Sequence, residues 1–486
     1  MRQITLAFVL LLLLPHQSLA YTEIVDFFLD YGVETLMRGG VRKLPEEQEA
    51  LDFTAPLFLD SKGKYRLDAG YENQRTVRIF NGRWARSHAY AEKLETSVAA
   101  PFSLTGKKIN GTVAAGYGYR WFDFSAENAT EGITLKGDEN FEAKKGGVNL
   151  SAYDRLRLGV SVIATDYRSG LEVPIEAEIA PCDFLRVGYK RSYIDDAADF
   201  NVQLSGKSGL IPVHYGEELN ELYIVGDYKE IVYGKYAHEL GKTGNLRFEG
   251  KVRLPLSLYL VGNYRQRDLN FSQDFSVEGK PGGFMRGDIV FREYRGGIGA
   301  DPTDKWNVEL NYRHRGLDSS GGGVAFSSAV VDFWPSLVVG NYNHTYDAAF
   351  SIDQYHAGMV YKGENVTLGL GVQYIYLKTA AQLDYWRSVL FGIGRAGANT
   401  LQLDTDRVKL LFLSLGLGYR WQNVAVNYAF GQFVPLGTHD NKPASATPPT
   451  SSGGGGGGTD IFESIADKID HNPGGNIQRV LLTIAF

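Results

Sequence analysis

The chain has 486 residues, among them 29 Tyr, 26 Phe, 57 Gly and one Cys, and its formal net charge is −6. One cysteine cannot form an intramolecular disulfide or a C-x-x-C-H motif, which excludes a disulfide-stabilised scaffold and covalent attachment of c-type haem. The mild acidity argues against a nucleic-acid partner, and a mean hydropathy of −0.21 argues against a bundle of membrane-spanning helices.

The first 20 residues are typical of an export signal. Arg2 supplies a positive charge, residues 4–14 are apolar apart from Thr5, and Pro15 ends the run. Small residues at Ser18 and Ala20 predict cleavage before Tyr21. The run is shorter than the about 20 apolar residues that a membrane-spanning helix needs. We therefore predict a signal peptide at 1–20 and an exported mature chain without a transmembrane helix.

Residues 21–60 differ from the remainder of the chain. Ile24, Phe27, Phe28 and Tyr31 follow helical spacing, and an acidic run at 45–49 comes after them. We expect a short helical segment that either lies in the periplasm or folds into the lumen as a plug. An ordinary N-terminal packing helix would give the same pattern.

From about residue 61 to residue 486, apolar side chains recur at every second position. A clear example is Leu156, Leu158, Val160 and Val162, which follow a turn at 153–155. Alternating segments of about 10 residues predict the strands of a transmembrane β-barrel. Further segments of this kind lie at 148–152, 173–179, 185–187, 246–264, 306–312, 355–376 and 411–430.

Aromatic residues cluster at the ends of these segments, next to an aliphatic centre. Tyr374 and Tyr376 end one segment, and Tyr419 and Trp421 end another. Aromatic rings of spanning strands lie at the level of the lipid headgroups, whereas a soluble sheet does not sort its side chains in this way. The pattern indicates that the apolar face of each strand contacts lipid.

The connections are of two kinds, tight turns and long polar stretches, which are typical of periplasmic turns and external loops. The last stretch contains six consecutive glycines at 453–458 and is predicted to be a flexible loop. The length predicts an all-β antiparallel barrel of about 16 to 18 strands, with 199–240 the least clear region. The polar stretches are 125–145, 265–288, 377–405 and 432–477.

The chain ends in an alternating segment in which Val480, Leu482, Ile484 and Phe486 share one face. This segment resembles the C-terminal strand of bacterial outer-membrane β-barrels. The resemblance implies that Phe486 is an assembly signal, that the protein lies in the outer membrane, and that its partners are outer-membrane lipid and the barrel-assembly machinery. A soluble β-sandwich would produce the same alternation.

If the apolar residues face lipid, the charged residues between them face the lumen. Three consecutive strands then carry a basic, an acidic and a basic row. Such rows either produce a transverse field in a water-filled channel or stabilise the wall by pairing with each other. The predicted pore-lining residues are Arg155, Arg157, Glu172, Glu176, Glu178, Arg186, Lys190, Arg247, Glu249, Lys251, Arg253, Glu309 and Arg313.

Small residues occupy the inward positions of the last strands, among them Gly416, Gly418, Ala429 and Gly431. They leave room for a plug, a constricting loop or a substrate, or they permit close approach of the backbone. The chain carries none of the motifs of hydrolases, zinc proteases or phosphate-binding loops. We therefore expect a protein that is not an enzyme and has no cofactor.

The sequence favours a porin-like channel for ions or small solutes. Two segments, 254–269 and 299–318, resemble repeats of the large barrels that sheathe multihaem cytochromes in extracellular electron transfer. They share the strand endings Tyr264–Leu269 and Tyr312–Leu317. That resemblance implies a multihaem cytochrome as a partner and is the first alternative. Export of a polysaccharide and service as an adhesin or surface scaffold are the others.

Overall fold

The fold is described from a computed structural model. The predicted signal peptide 1–20, the helical spacing at 24–31, the acidic run at 45–49 and the glycine tract lie outside the described residues. Within those residues, no helix is both long and apolar enough to cross a membrane. The described residues are 33–41, 43, 50–59, 61, 63–77, 86–104, 108–128, 133–153, 155–165, 170–204, 207–229, 231–242, 244–277, 280–325, 342–389, 394–436 and 474–486.

In the described part of the chain, eighteen strands form one antiparallel sheet that closes into a barrel. A helix, α1 (Val33–Met37), and a 3₁₀ turn (Pro56–Phe58) precede it. The predicted all-β barrel with a short N-terminal helix is confirmed, and the strand number is the upper one expected. The strands are β1 Arg66–Val77, β2 Arg86–Leu104, β3 Ile109–Asn128, β4 Ile133–Ala152, β5 Leu156–Thr165, β6 Leu171–Cys182, β7 Leu185–Leu204, β8 Lys207–Tyr228, β9 Val232–Glu239, β10 Leu246–Arg253, β11 Leu258–Val277, β12 Lys280–Thr303, β13 Trp306–Ala325, β14 Tyr342–Lys362, β15 Val366–Val389, β16 Gly394–Trp421, β17 Val424–Pro435 and β18 Gly474–Ala485.

The barrel closes where β1 pairs with β18. The register runs along the whole of β1, from Arg66 opposite Ala485 to Val77 opposite Gly474. A buried ion pair joins Glu72 to Arg479 across this seam. Closure is required because an open strand edge would leave unpaired backbone groups in lipid.

The two ends of the barrel differ. At one end, which we call the turn end, a connection of two to four residues joins each even-numbered strand from β2 to β16 to the strand that follows it. The beginning of β1 and the end of β18 also lie at the turn end. There the amide of Phe486 donates a hydrogen bond to the carbonyl of Tyr65 at 3.0 Å. We call the opposite end the loop end. Short turns are typical of the periplasmic side.

The outward face has an aliphatic band between two aromatic rows. On β13 the outward residues run Trp306, Val308, Leu310 and Tyr312, and Leu310 is 54% exposed. At the turn end, Trp306 contacts Tyr361 with ring centroids 4.9 Å apart. A second row of rings, Tyr294, Tyr312, Tyr355 and Tyr374, joins four neighbouring strands at 5.3–6.2 Å. An aliphatic band between two aromatic rows is typical of strands that span a membrane.

Three of the polar stretches expected to be loops are largely strand. β3 continues to Asn128 and β4 begins at Ile133, so most of 125–145 is a hairpin, and the stretches 265–288 and 377–405 are extended in the same way. These stretches are rich in charged and polar residues and so resemble loops, although some apolar residues still alternate, as Leu269 and Phe271 do. The sequence therefore hides these strand extensions.

The unclear region 199–240 contains two strands of unequal length. β8 has 22 residues, whereas β9 has eight. Because β9 and β10 form a short hairpin, β8 and β11 meet beyond it and pair at Leu210 and Ser276. A long strand beside a short hairpin breaks the regular spacing on which strand counting depends.

Deleting Phe486 should reduce the amount of heat-modifiable barrel in the outer membrane to roughly half or less, because the deletion removes the hydrogen bonds that fix the end of β18 beside Tyr65. The measurement is migration of outer-membrane fractions on denaturing gels with and without heating. Phe184→Ala removes another exposed aromatic at the turn end and should leave the yield unchanged. Undiminished insertion of the shortened chain would show that another segment carries the assembly signal.

Candidate functional site

The described N-terminal residues 33–41 and 51–59 lie inside the barrel, and we call them together the luminal segment. Helix α1 packs on β15 to β18 in the half of the barrel nearer the turn end. Val33, Leu36 and Met37 are buried there against inward side chains of the wall. The wall residues of this apolar cluster are Ile352, Ile375, Leu410, Phe412, Ala429, Phe433, Ile477 and Leu481.

Glycines on the inner wall make room for this segment. A Cβ atom on Gly371 would overlap the backbone of Gly39, and one on Gly416 would overlap the side chain of Met37. Gly369 lies against Met37 in the same way. The sequence predicted free room on the last strands without identifying its occupant. At Gly416 the occupant is Met37 of the luminal segment.

Polar contacts hold the turn that follows α1. The Arg38 guanidinium donates to the side-chain oxygen of Asn307 on β13. His356 on β14 hydrogen bonds to the carbonyl of Arg38, and Gln373 on β15 donates to the carbonyl of Gly39. These contacts satisfy backbone carbonyls that the end of the helix leaves unpaired.

Glu34 connects the helix to its surroundings by charge. Its carboxylate lies 2.8 Å from the Arg38 guanidinium and 3.0 Å from the Lys362 ammonium at the end of β14. Burial raises the pKa of Glu34, but the charges and hydrogen bonds of Arg38 and Lys362 outweigh burial and hold that pKa below its ordinary value of 4.5. The carboxylate is thus ionised in the docked segment.

A second anchor lies on β2 to β5. Leu51, Phe53 and Leu59 form an apolar cluster with Ala99 and Ala114 of the wall. The backbone carbonyl of Leu57 accepts hydrogen bonds of 2.6 Å from Asn149 on β4 and from Arg157 on β5. Arg157, predicted to line the pore, is therefore also a contact that fixes the segment.

The acidic row on β6 faces inward and is bordered by cations. Glu178 lies 3.4 Å from Arg157 and 4.0 Å from Arg186, and it accepts a hydrogen bond from Tyr223 on β8 at 3.4 Å. Glu172 accepts a hydrogen bond from Ser192. Glu176 lies opposite Lys190 in the strand register.

Arg155 differs from this arrangement. It lies in the turn before β5, and its side chain is half exposed and pairs with Asp183 at 2.9 Å. The strand alternation places this residue on the inner face, but a turn residue lies at the rim of the barrel. The assignment of Arg155 to the lumen wall is therefore corrected.

The remaining predicted residues occupy the inner face of β10 to β13. Arg247 donates to Glu249 at 2.6 Å, Glu309 pairs with Arg295, and Arg313 donates to Gln354 at 2.6 Å. Each of these groups has a hydrogen-bonding partner, as a buried charge requires. Lys251 lies over the ring of Tyr259 with its nitrogen 4.1 Å from the centroid, and Arg253 reaches to 4.0 Å from Asp301.

Sequence reasoning missed several residues that hold the segment and the wall. Arg38, Arg295, His356 and Gln373 were not singled out as lumen residues. The inward position of His356 and Gln373 could have been predicted from the sequence. Each is adjacent in its strand to an outward aromatic or aliphatic residue, so the alternation places it on the inner face. The contact of Arg38 could not have been predicted, since its partner Asn307 is 269 residues away in sequence.

No family model matches the chain, and no curated protein matches it in sequence. Among solved structures, it is similar to OccK7 (OpdD) of Pseudomonas aeruginosa, with 10% identity, 88% of this chain and 99% of that chain covered, and a TM-score of 0.40. It is also similar to the toluene transporter TodX of Pseudomonas putida, with 12% identity, 94% of this chain and 98% of that chain covered, and a TM-score of 0.37. A third similar structure is OccAB1 of Acinetobacter baumannii, with 10% identity, 90% of this chain and 99% of that chain covered, and a TM-score of 0.38. At this level of similarity only the residues of this chain decide what its lumen does. The described residues form a closed antiparallel β-barrel of 18 strands with the luminal segment inside.

Docking of α1 should weaken in acid. A carboxyl whose pKa is lowered in the docked state stabilises that state above pH 4.5, and this contribution is lost as the pH falls through the lowered value. Glu34→Gln should therefore reduce the free energy of docking by roughly 1 to 2 kcal/mol near neutral pH and by little in acid. Hydrogen exchange of a peptide covering 33–41, followed by mass spectrometry, compares the two proteins at about pH 6 and about pH 3. Equal protection at both pH values would contradict the role of Glu34.

Proposed function

We propose that this protein is a channel of the bacterial outer membrane that passes ions or small solutes passively through a charged lumen. We further propose that the luminal segment restricts this passage. The observation that carries the proposal is the uneven filling of the barrel. The contacts of the luminal segment fall on β1 to β6 and β13 to β18. On the wall in between, some charged inward side chains keep contact with solvent, Arg186 and Arg253 among them. Glu249 and Arg295 on the same wall are buried.

The exposed fractions of these side chains support a wet passage. Arg186, at the start of β7, and Arg253, at the end of β10, retain 37% and 46% of their side-chain surface, and both lie near the turn end. By contrast, the pair Arg295 and Glu309 is only 2% and 6% exposed. The sequence left open whether the charged rows line water or stabilise the wall. The burial values favour a wall in which buried ion pairs stabilise the sheet and exposed cations face the passage.

The alternatives receive less support from the lumen. A cytochrome sheath requires an interior that is free for a folded protein, whereas the luminal segment occupies part of the half near the turn end. The two stretches that resemble sheath repeats, Tyr264–Leu269 and Tyr312–Leu317, lie in β11 and β13 as parts of the regular wall. Among the described residues, no contact specifically favours polysaccharide export or an adhesin role over a channel.

Displacing the luminal segment should open the channel. In Gly371→Ala the added methyl group overlaps the backbone of Gly39, so the turn after α1 must leave the wall. Planar-bilayer conductance in potassium chloride should increase several-fold over that of the unchanged protein. Gly296→Ala is the matched control, because this strand glycine has nothing within 4 Å of the added atom.

Two results would contradict this proposal. Absence of conductance in both the unchanged protein and Gly371→Ala, with heat-modifiability intact, would mean that the barrel is not a channel. Equal conductance of Gly371→Ala and Gly296→Ala would mean that the segment does not restrict the passage.

Neutralising the acidic row should change ion selectivity. Changing Glu172, Glu176 and Glu178 together to Gln removes three negative charges and leaves the cations of β5 and β7 uncompensated. The reversal potential under a salt gradient should therefore shift toward anion selectivity. Glu218→Gln, on the outward face of β8 where Glu218 pairs with Arg191, should produce no shift. An unchanged reversal potential in a conducting triple variant would show that this row does not border the path.

A further inference from the structure

A chain of hydrogen bonds joins the turn after α1 to the wall through His356 on β14. The Nε2 atom of its ring hydrogen bonds to the carbonyl of Arg38, and the Nδ1 atom lies 3.1 Å from the amide nitrogen of Asn311 on β13. The Cδ2 atom lies 3.0 Å from the position that a Cβ atom would take on Gly39. The buried ring therefore supports both residues of the turn.

The orientation of the Asn311 amide is fixed by two charged neighbours. The guanidinium of Arg295 on β12 donates to the amide oxygen at 2.9 Å, and the amide nitrogen donates to the carboxylate of Glu309 at 2.6 Å. Turning the amide over would place its nitrogen against a guanidinium, which only donates, and its oxygen against a carboxylate, which only accepts. The amide nitrogen therefore faces His356.

This orientation selects one form of the imidazole ring. An amide nitrogen only donates, so the Nδ1 atom of His356 must accept and carries no proton. The carbonyl of Arg38 only accepts, so the Nε2 atom must carry the proton. A ring protonated on both nitrogens would set the N–H group of Nδ1 against the N–H groups of Asn311. The docked turn is therefore compatible with the neutral ring and not with the imidazolium ion.

The charges around the ring act in the same direction as the hydrogen bonds. The charged groups that face it are Arg295 on β12, Glu309 and Arg313 on β13, and Arg38 of the luminal segment. The negative charge of Glu309, which would favour protonation, is already engaged by Arg295. The three guanidinium groups stay positive at physiological pH and oppose a further positive charge beside them. The neighbour on β15, Gln373, is neutral.

We propose that His356 is the positioning residue that makes closure of the channel depend on pH. This proposal rests on the proposed function, in which the luminal segment restricts the passage. The neutral ring holds the carbonyl of Arg38; a proton on Nδ1 makes the contact with Asn311 repulsive, and the turn leaves the wall. An imidazole in water changes charge at about pH 6.5, so each pH unit below that value weakens docking by up to about tenfold. The carboxyl of Glu34 acts in a lower range, since its ordinary pKa is 4.5.

The test compares closure at two pH values. Planar-bilayer conductance in potassium chloride, and hydrogen exchange of a peptide covering 33–41 after correction for the intrinsic rate, are measured at about pH 7.5 and about pH 5.5. In the unchanged protein docking should weaken by about tenfold between these values, so protection should fall and conductance should rise. His356→Gln keeps a neutral N–H donor for the carbonyl of Arg38 and cannot take up a proton. This variant should stay protected and closed at both pH values.

Three further variants assign the response. His344→Gln is the matched control, because His344 is a buried histidine on the inner face of the same strand, closer to the loop end, and this variant should keep the response. Glu34→Gln should keep it as well, because Glu34 titrates in a lower range. In Gly371→Ala the added methyl group already displaces the turn, so conductance should be high at both pH values.

Failure of this proposal differs from failure of the channel function. A conducting barrel whose conductance and protection do not change with pH, or change equally in His356→Gln, overturns the role of His356 and leaves the channel standing. Loss of the response in His344→Gln, or an equal response in Gly371→Ala, overturns it too. Protection that depends on pH through His356, without conductance in any variant, overturns the channel and leaves the positioning role.

A second variant covers the case in which His356→Gln does not assemble into a heat-modifiable barrel. Asn311→Leu, of similar size, removes the N–H groups that oppose a proton on Nδ1 while the ring can still donate to the carbonyl of Arg38. Protection of 33–41 should then be retained at both pH values. A loss of protection in acid as large as in the unchanged protein would overturn the proposal.

Discussion

A peptide group in hydrocarbon has no water to bind, so each strand that crosses a membrane must pair along both of its edges. In this protein the requirement is met by the pairing of β1 with β18, which joins the sheet into a ring. Closure assigns the two faces of every strand. The outer face carries aliphatic side chains between aromatic rows, and the inner face is freed from contact with lipid and can carry charge. The contents of the lumen depend on that separation.

A ring of 18 strands encloses more space than inward side chains fill. Near the turn end the protein fills part of this space with its own chain, held by two apolar clusters and by contacts of Arg38 and Glu34. Elsewhere the wall carries ionic groups that need partners or water. The inner surface is therefore divided into a sector covered by the segment and a charged sector. In the channel that we propose, the covered sector restricts the passage and the charged sector borders it.

The strands and the inner face could be predicted from the sequence because both follow from a period of two residues. Leu158, Val160 and their neighbours identify the lipid-facing side, and Glu176 and Glu178 then fall inside without further information. The extended hairpins could not be predicted, because their many charged and polar residues resemble those of external loops. Arg155 was misplaced because alternation does not hold in a turn. The segment that contacts Gly416 could not be predicted either. A glycine indicates that space is needed, but it does not identify the segment that fills this space, which here is some 380 residues away in sequence.

The position of the luminal segment is the central claim, and a disulfide between the segment and the wall tests it most directly. In a Cys182→Ser background, Met37→Cys and Gly416→Cys place two thiols where the Met37 side chain contacts the glycine. Mild oxidation of intact outer membranes should give an internal cross-link, seen as a mobility change on a non-reducing gel that reductant reverses. The pair Met37→Cys and Gly296→Cys, with the second thiol on the outward face, should not react. A heat-modifiable barrel in which the first pair also fails to cross-link would contradict the placement of the N-terminal segment inside the barrel.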